Sequence, residues 1–116
     1  MNWRIKDKSF EGKEKHVPEV EIRKEANNLV HVKVEVGKEV SHPNQPDHHI
    51  SWIEIFFVPE NEEPIEIARV DFRAHGELEV LSEPYVELKF RTSKPGKLVV
   101  LSYCNKHGIW KEEINI

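Results

Sequence analysis

The stretch LVHVKVEV at residues 29–36 decides the fold class, because apolar and polar side chains alternate along it without a break. The valines occupy every second position and share one face, whereas His31, Lys33 and Glu35 share the other. Side chains of an extended strand point alternately to opposite faces, so this period of two predicts a half-buried β-strand. We expect the polar face of this strand, His31 included, to be exposed to solvent.

Similar strand-like runs occupy much of the rest of the chain. They are VEIRKE (20–25), ISWIEIFFV (50–58), IEIARVDF (65–72), YVELKF (85–90), KLVVLSY (97–103) and IWKEEINI (109–116). Turn-forming residues separate them, and no long helical pattern interrupts the series. About seven short strands predict an all-β fold, an antiparallel β-sandwich, in a single domain spanning residues 1–116. The only helix we expect is a short one within the polar residues 7–15.

Composition excludes several classes of protein. The chain has 116 residues, with 17 Lys and Arg against 21 Asp and Glu, and this negative balance argues against a nucleic-acid partner. It contains no apolar run long enough to span a membrane, and its first residues lack the apolar stretch of a signal peptide, so we expect a cytoplasmic protein. A single cysteine excludes an internal disulfide and a Cys₄ metal site.

Three short segments carry residues that bind transition metals. The first is Cys104-Asn105-Lys106-His107, in which a thiol and an imidazole follow the apolar run 97–103. A strand that ends in a tight loop can direct both groups at one point, and thiolate with imidazole suits zinc, copper or iron. A buried structural cysteine beside a surface histidine is the alternative.

The second segment is His42-Pro43-Asn44-Gln45-Pro46-Asp47-His48-His49. Its two prolines restrict the backbone and would hold ligands in place before a metal arrives. Adjacent residues of an extended chain point to opposite sides, so His48 and His49 do not easily share one ion, and periodicity does not choose between them. A histidine-rich surface loop is the alternative.

The third segment is Glu14-Lys15-His16-Val17-Pro18, which sets an acid, a base and an imidazole side by side before a strand. Charged triplets are common in a chain that is 33% charged, so this segment alone indicates little. Three separate His or Cys clusters in one small chain together predict a metal centre.

These segments are similar to the signatures of one known family. EKHVP at 14–18, HPNQPDHHISWIE at 42–54, AHGE at 74–77 and SYCNKHGIW at 102–110 occur in the order found in superoxide reductases, the neelaredoxin and desulfoferrodoxin family. The resemblance implies an immunoglobulin-like β-sandwich with one square-pyramidal iron per chain. It also implies an oxidoreductase that reduces superoxide to hydrogen peroxide without dismutation to oxygen.

Carried over by position, the resemblance implies a specific site. The implied iron ligands are four equatorial histidines and one axial cysteinate, namely His16, His42, His48, His107 and Cys104. His107, the histidine that follows the cysteine, would bind through Nδ1, and the other three histidines would bind through Nε2. Glu14 would bind ferric iron as a sixth ligand, and Lys15 would supply positive charge for the anionic substrate, so both are predicted catalytic residues. His49 occupies a position often held by tyrosine and is expected to be a neighbour of the site.

Further expectations concern the surroundings of the site and its partners. Trp52 and Trp110 are expected to wall the site, because they flank ligand segments, and backbone amides around residues 105–107 to hydrogen-bond the cysteine sulfur. We expect His75 to be a turn residue, with a role behind a ligand or at a subunit contact as the alternative. The electron donor implied is a small rubredoxin-like protein, and the relatives of this class tend toward homotetramers.

Two other classes compete with this interpretation. A blue-copper electron carrier is also a β-sandwich with a Cys and His loop, but its weak axial ligand is typically a methionine after that loop. The only methionine here is Met1, and four histidines exceed what that site needs. The other alternative is a non-catalytic immunoglobulin-like interaction domain that binds stray zinc through surface histidines.

Overall fold

The computed structural model describes residues 4–12, 15–38 and 41–116. Seven strands lie within these ranges, and each falls on one of the runs predicted from the sequence. In chain order they are β1 (Glu19–Lys24), β2 (Leu29–Glu35), β3 (Ile50–Pro59), β4 (Ile65–Asp71), β5 (Tyr85–Arg91), β6 (Gly96–Cys104) and β7 (Gly108–Asn115). The all-β prediction is confirmed.

The strands form two antiparallel sheets, one ordered β1-β2-β5 and the other β4-β3-β6-β7. Constant-type immunoglobulin domains place the fourth strand on the sheet of the first two strands. Here β4 instead pairs with β3, at one edge of the larger sheet. The fold is therefore an immunoglobulin-like antiparallel β-sandwich with its fourth strand on the opposite layer.

The core lies between the inner faces of the two sheets. Strand β2 contributes the valines predicted from the period of two, and β3 and β6 contribute alternate residues of their own. The fully or almost fully buried members include Val30, Val32, Val34, Ile53, Ile55, Phe57, Leu98 and Val100. Burying each such side chain contributes about 1.5–3 kcal/mol, so the sandwich is a firm support for the loops at its ends.

The prediction that His31 is exposed is wrong. Its side chain points to the outer face of β2, yet only 7% of the residue is accessible to solvent. β2 is the central strand of its sheet, and the register sets Arg23 on one side of His31 and Lys89 on the other. The imidazole therefore lies between two flanking strands, and its Nε2 is 3.6 Å from a carboxylate oxygen of Glu87.

Helical structure among the described residues is limited to 3-10 turns at Lys8–Phe10, Ala26–Asn28 and Glu77–Glu79. The first begins after Asp7, whose carboxylate accepts a hydrogen bond of 3.0 Å from the amide of Ser9. The short helix expected within residues 7–15 is therefore a single turn in the described part of that segment. No helix of the described chain is long and apolar enough to cross a membrane.

The topology brings three loops to one end of the sandwich. β1 begins where β2 ends, since Glu19 pairs with Glu35. In the other sheet β6 ends at Cys104, which faces the first residue of β3 and the first residue of β7. The segment before β1, the β2–β3 loop and the β6–β7 turn therefore meet at this end, and they are the three segments that carry the predicted ligands.

Candidate metal centre

His16 is held from three directions before β1 begins. Its carbonyl oxygen accepts a hydrogen bond of 2.9 Å from the hydroxyl of Ser102, a fully buried residue of β6. Its ring stacks on Trp110 with centroids 4.5 Å apart and planes 12° apart. Its amide donates to the carboxylate of Glu11 at 2.8 Å. Strands β6 and β7 of the larger sheet and the N-terminal segment thus fix the position of this imidazole. The stacking of Trp110 on His16 agrees with its predicted role as a wall of the site.

The β2–β3 loop supplies His42 and His48. A Cβ at Gly37 would lie 2.5 Å from the backbone nitrogen of His42, so the turn after β2 closes tightly only with glycine at that position. His42 Nδ1 lies 2.7 Å from the carbonyl of the following proline. The backbones of Gln45 and His48 exchange two hydrogen bonds of 2.9 and 3.1 Å, which gives the proline-containing loop a fixed shape.

The β6–β7 turn supplies Cys104 and His107. Cys104 is the last residue of β6 and is completely buried, at 0% exposure. His107 lies three residues later on the exposed side of the turn, and its Nδ1 approaches the cysteine sulfur to 3.7 Å. The carbonyl of His107 accepts hydrogen bonds of 3.1 Å from Trp110 Nε1 and from Lys6 Nζ. These bonds tie the turn to β7 and to the N-terminal segment.

The four histidine rings form a closed cycle. Neighbouring centroids are 4.8 Å apart for His16 and His42, 5.0 Å for His42 and His48, 5.1 Å for His48 and His107, and 4.9 Å for His107 and His16. Each pair meets edge to face. The cycle joins residues from all three loops, and it is the arrangement that four ligands around one ion require.

The distances between donor atoms fit a single metal ion. One ligand atom from each of His16, His42, His48 and Cys104 lies within 4.8 Å of all the others. Two ligands on opposite sides of one ion are separated by about 4.2–4.4 Å when metal–nitrogen and metal–sulfur bonds are about 2.1 and 2.3 Å. His107 Nδ1 lies 3.1 Å from His16 Nε2 and so belongs to the same cluster. Imidazole and thiolate together bind zinc, copper or iron.

Burial separates this cluster from a surface site. His16, His42 and Cys104 are buried, and His48 is half-buried with its Nε2 atom enclosed. The alternative of stray zinc on surface histidines is therefore not supported by the burial of these residues. The blue-copper alternative is not favoured either, because that site uses two histidines and one cysteine, whereas four imidazoles converge here.

Three other predicted residues, Lys15, Glu14 and Trp52, have different outcomes. Lys15 precedes the buried His16 and is exposed, so its charge faces solvent beside the cluster. Glu14 lies outside the described residues. Trp52 does not share the position of Trp110: its ring stacks on Tyr103 at 5.6 Å and lies under Arg69, on the outer face of β3. The prediction that Trp52 walls the site is therefore not supported by its contacts.

A pair of stacked histidines braces the β2–β3 loop, and its role could not be read from the sequence. The rings of His49 and His75 are parallel within 6° with centroids 3.4 Å apart. His49 Nδ1 lies 3.0 Å from the carbonyl of Gln45, and His75 Nε2 lies 2.6 Å from that of Phe72. The amide of His75 donates to Glu77, which holds the pKa of that carboxyl below its ordinary value. Residues 74–77 thus pack directly against the ligand loop.

Asn105 connects two of the ligand-bearing segments. Its amide donates to the carbonyl of His49 at 3.2 Å. Its side chain accepts a hydrogen bond of 2.8 Å from the amide of His49 and donates one of 3.0 Å to the carbonyl of Asp47. Asn105 therefore joins the loop that carries His48 to the turn that carries Cys104.

Comparisons with family models, with individual proteins and with solved structures all point to the same family. The Desulfoferrodoxin family model matches residues 8–113. A superoxide reductase of Pyrococcus abyssi is 50% identical over 113 residues, which cover 97% of this chain and 95% of that protein. One from Thermococcus kodakarensis is 49% identical and covers 100% of this chain and 98% of its own. The solved structure of a superoxide reductase from Nanoarchaeum equitans superposes with a TM-score of 0.89 at 44% identity, covering 97% of this chain and 100% of that one.

Proposed function

This chain belongs to the desulfoferrodoxin family and acts as a superoxide reductase, and we propose that its redox centre is one iron ion held by the five-residue cluster. The proposed ligands are the members of the closed cycle and the buried thiolate, namely His16, His42, His48, His107 and Cys104. The single observation that carries the proposal is that four imidazoles from three loops and one buried sulfur converge within bonding range of one ion.

The number and kind of donors favour iron over zinc. Structural zinc sites are almost always four-coordinate, whereas five donor residues meet here. Zinc also has no redox chemistry, and the reaction transfers an electron. The ring nitrogens support the proposed binding mode: His42 Nδ1 is directed at a backbone carbonyl, while His107 presents Nδ1 to the cluster.

The reaction consumes one superoxide anion, one electron and two protons, and it yields one hydrogen peroxide. When bound, iron supplies the electron by passing from the ferrous to the ferric state. The chain must then admit an anion, deliver protons and exclude the reverse oxidation to oxygen. Cys104 contributes a strongly donating thiolate from the buried side, so access for the anion is from the exposed side, where His107 and Lys15 lie.

Lys15 is the proposed attractor of superoxide. The net charge of the chain is −4, which repels an anion at long range, so attraction has to come from a cation beside the site. Its ammonium can also order water that delivers protons. Glu14 is proposed as the sixth ligand of the ferric ion, and this part of the proposal rests on the EKHVP motif.

We propose that the electron comes from another protein. The chain has one cysteine, which is assigned to the proposed centre, so it holds no second iron–thiolate centre to store an electron. We therefore propose a rubredoxin-like donor. The family resemblance further supports a single domain over residues 1–116, a homotetramer and a cytoplasmic location.

Product analysis tests the proposed reaction. The ferrous protein is mixed anaerobically with superoxide, and peroxide and oxygen are both measured. The proposal predicts one peroxide for each superoxide consumed and no oxygen. Evolution of one oxygen for every two superoxide anions would identify dismutation instead, and no change in the rate of superoxide decay would exclude both reactions.

A further inference from the structure

Glu11 makes an unusually complete set of contacts next to the proposed metal centre. One carboxylate oxygen accepts hydrogen bonds from the amides of Val17 at 2.7 Å and His16 at 2.8 Å. The other oxygen is 3.1 Å from the same His16 amide and 3.6 Å from His16 Nδ1. The side chain is only 9% exposed. Neither the sequence motifs nor the ligand set includes this residue.

These contacts account for the burial of a charged group. Removing a carboxylate from water is costly unless hydrogen bonds compensate, and amide donors to a carboxylate are among the stronger hydrogen bonds in proteins. Two amides meet that requirement here, so the carboxylate has a defined position. That position is on the Nδ1 side of the His16 ring, opposite the Nε2 atom that approaches His107 at 3.1 Å.

The location of Glu11 has consequences for His16 as a ligand. A metal-bound imidazole usually donates its second ring N–H to a carboxylate or carbonyl, which fixes the tautomer and makes the ligand nitrogen more basic. At 3.6 Å the Nδ1 contact is an ion-pair distance and not a full hydrogen bond. Glu11 fixes the position of His16 mainly through the hydrogen bond to its backbone amide. The stacked Trp110 fixes the plane of the ring.

We infer that Glu11 is a positioning residue of the metal centre: it holds His16 with Nε2 facing the metal and places a buried negative charge behind that ligand. The inference rests on the proposed function, because it takes His16 to be a ligand. A charge at this place stabilises a bound cation, and it stabilises the ferric ion more than the ferrous one. Glu11 therefore strengthens metal binding and lowers the reduction potential.

The first test compares Glu11→Gln with the unmodified chain. Glutamine keeps an oxygen acceptor for the amides and removes the charge. Cobalt(II) affinity is measured by competition with a chelator, and the reduction potential is measured on the iron-loaded proteins. We expect cobalt affinity to fall by about 10–100-fold, as for other residues that support a metal ligand, and the potential to rise. Glu63→Gln is the control, since Glu63 is exposed in the β3–β4 loop at the other end of the sandwich and the charge change is the same.

Unchanged affinity and potential in Glu11→Gln would overturn the inference, as would equal changes in both variants. Failure of the unmodified chain to bind cobalt would contradict the proposed metal centre itself, and the inference with it. A second measurement does not depend on the variant folding. Nitrogen NMR of the zinc-loaded, unmodified protein should show His16 protonated at Nδ1 and bound through Nε2, and the reverse assignment would overturn the inference.

Discussion

His16 Nε2 and His107 Nδ1 lie 3.1 Å apart although 91 residues separate them in the chain. The two imidazoles present different ring nitrogens to the same point, one from the segment before β1 and the other from the β6–β7 turn. The cluster can therefore be complete only when both sheets and the N-terminal segment have come together. A metal bound there connects both ends of the chain. It stabilises the folded state because it binds that state more tightly than the unfolded chain.

Removing the charge of Lys15 should slow capture of superoxide. With a net charge of −4, Lys15→Ala leaves the approach to the site with less local attraction, and we expect the bimolecular rate constant at low salt to fall by about threefold to tenfold. The rate constant of the variant should also depend less on salt, because salt screens an attraction that the variant no longer has. Stopped-flow measurements between low and physiological ionic strength report both quantities.

Lys94→Ala is the matched control for Lys15, since it removes the same charge from an exposed position in the β5–β6 turn, far from the ligand loops. Its rate constant should equal that of the unmodified protein. Identical rates for Lys15→Ala and Lys94→Ala at low salt would refute local attraction by Lys15.

Gly76 is a second point at which the fold supports the ligand loop. Its φ is +125°, and a Cβ there would lie 2.7 Å from Pro46 Cγ in the β2–β3 loop. Gly76→Ala should therefore destabilise the protein by about 1–3 kcal/mol and speed the loss of metal to a chelator. Gly12→Ala is the control, because nothing lies within 4 Å of its added Cβ, and its effect should stay within about 0.5 kcal/mol. The free energy of unfolding of both variants is measured by urea denaturation. Equal values for Gly76→Ala and Gly12→Ala would show that residues 74–77 do not support the loop.

The raised pKa of Glu54 should make the stability of the protein depend on pH. Partial burial raises the pKa of its carboxyl in the folded state, and the neighbouring Glu66 raises it further. The folded protein then binds more protons than the unfolded chain between the ordinary pKa and the raised one, so stability falls as pH rises through that interval. Above it, Glu54 carries its full penalty. Glu54→Gln should therefore raise the melting temperature at pH 7 and lose this advantage below about pH 4.

Calorimetry across that pH range tests the Glu54 prediction, with Glu63→Gln as the control for a carboxyl that is exposed. A melting temperature at pH 7 that is unchanged or lowered in Glu54→Gln would be inconsistent with a raised pKa.

The fold could be predicted because its signals are local. The alternation at residues 29–36 defines both the strand β2 and its buried face, and the ligand-bearing segments are short motifs at strand ends. The burial of His31 was not predictable in this way, because it depends on the two strands that pair with β2 on either side. The same holds for the His49–His75 stack and for Glu11, since these contacts join segments whose sequences contain no shared pattern.

The visible spectrum of the ferric protein tests the central claim most directly, measured together with iron content on the unmodified chain and on Cys104→Ser. We predict about one iron per chain and a sulfur-to-iron charge-transfer band that is absent from the serine variant. The band should persist in His31→Gln, which alters a buried histidine on the outer face of β2. A band that survives in Cys104→Ser, or an unmodified protein that takes up no iron under anaerobic loading, would contradict the proposed centre.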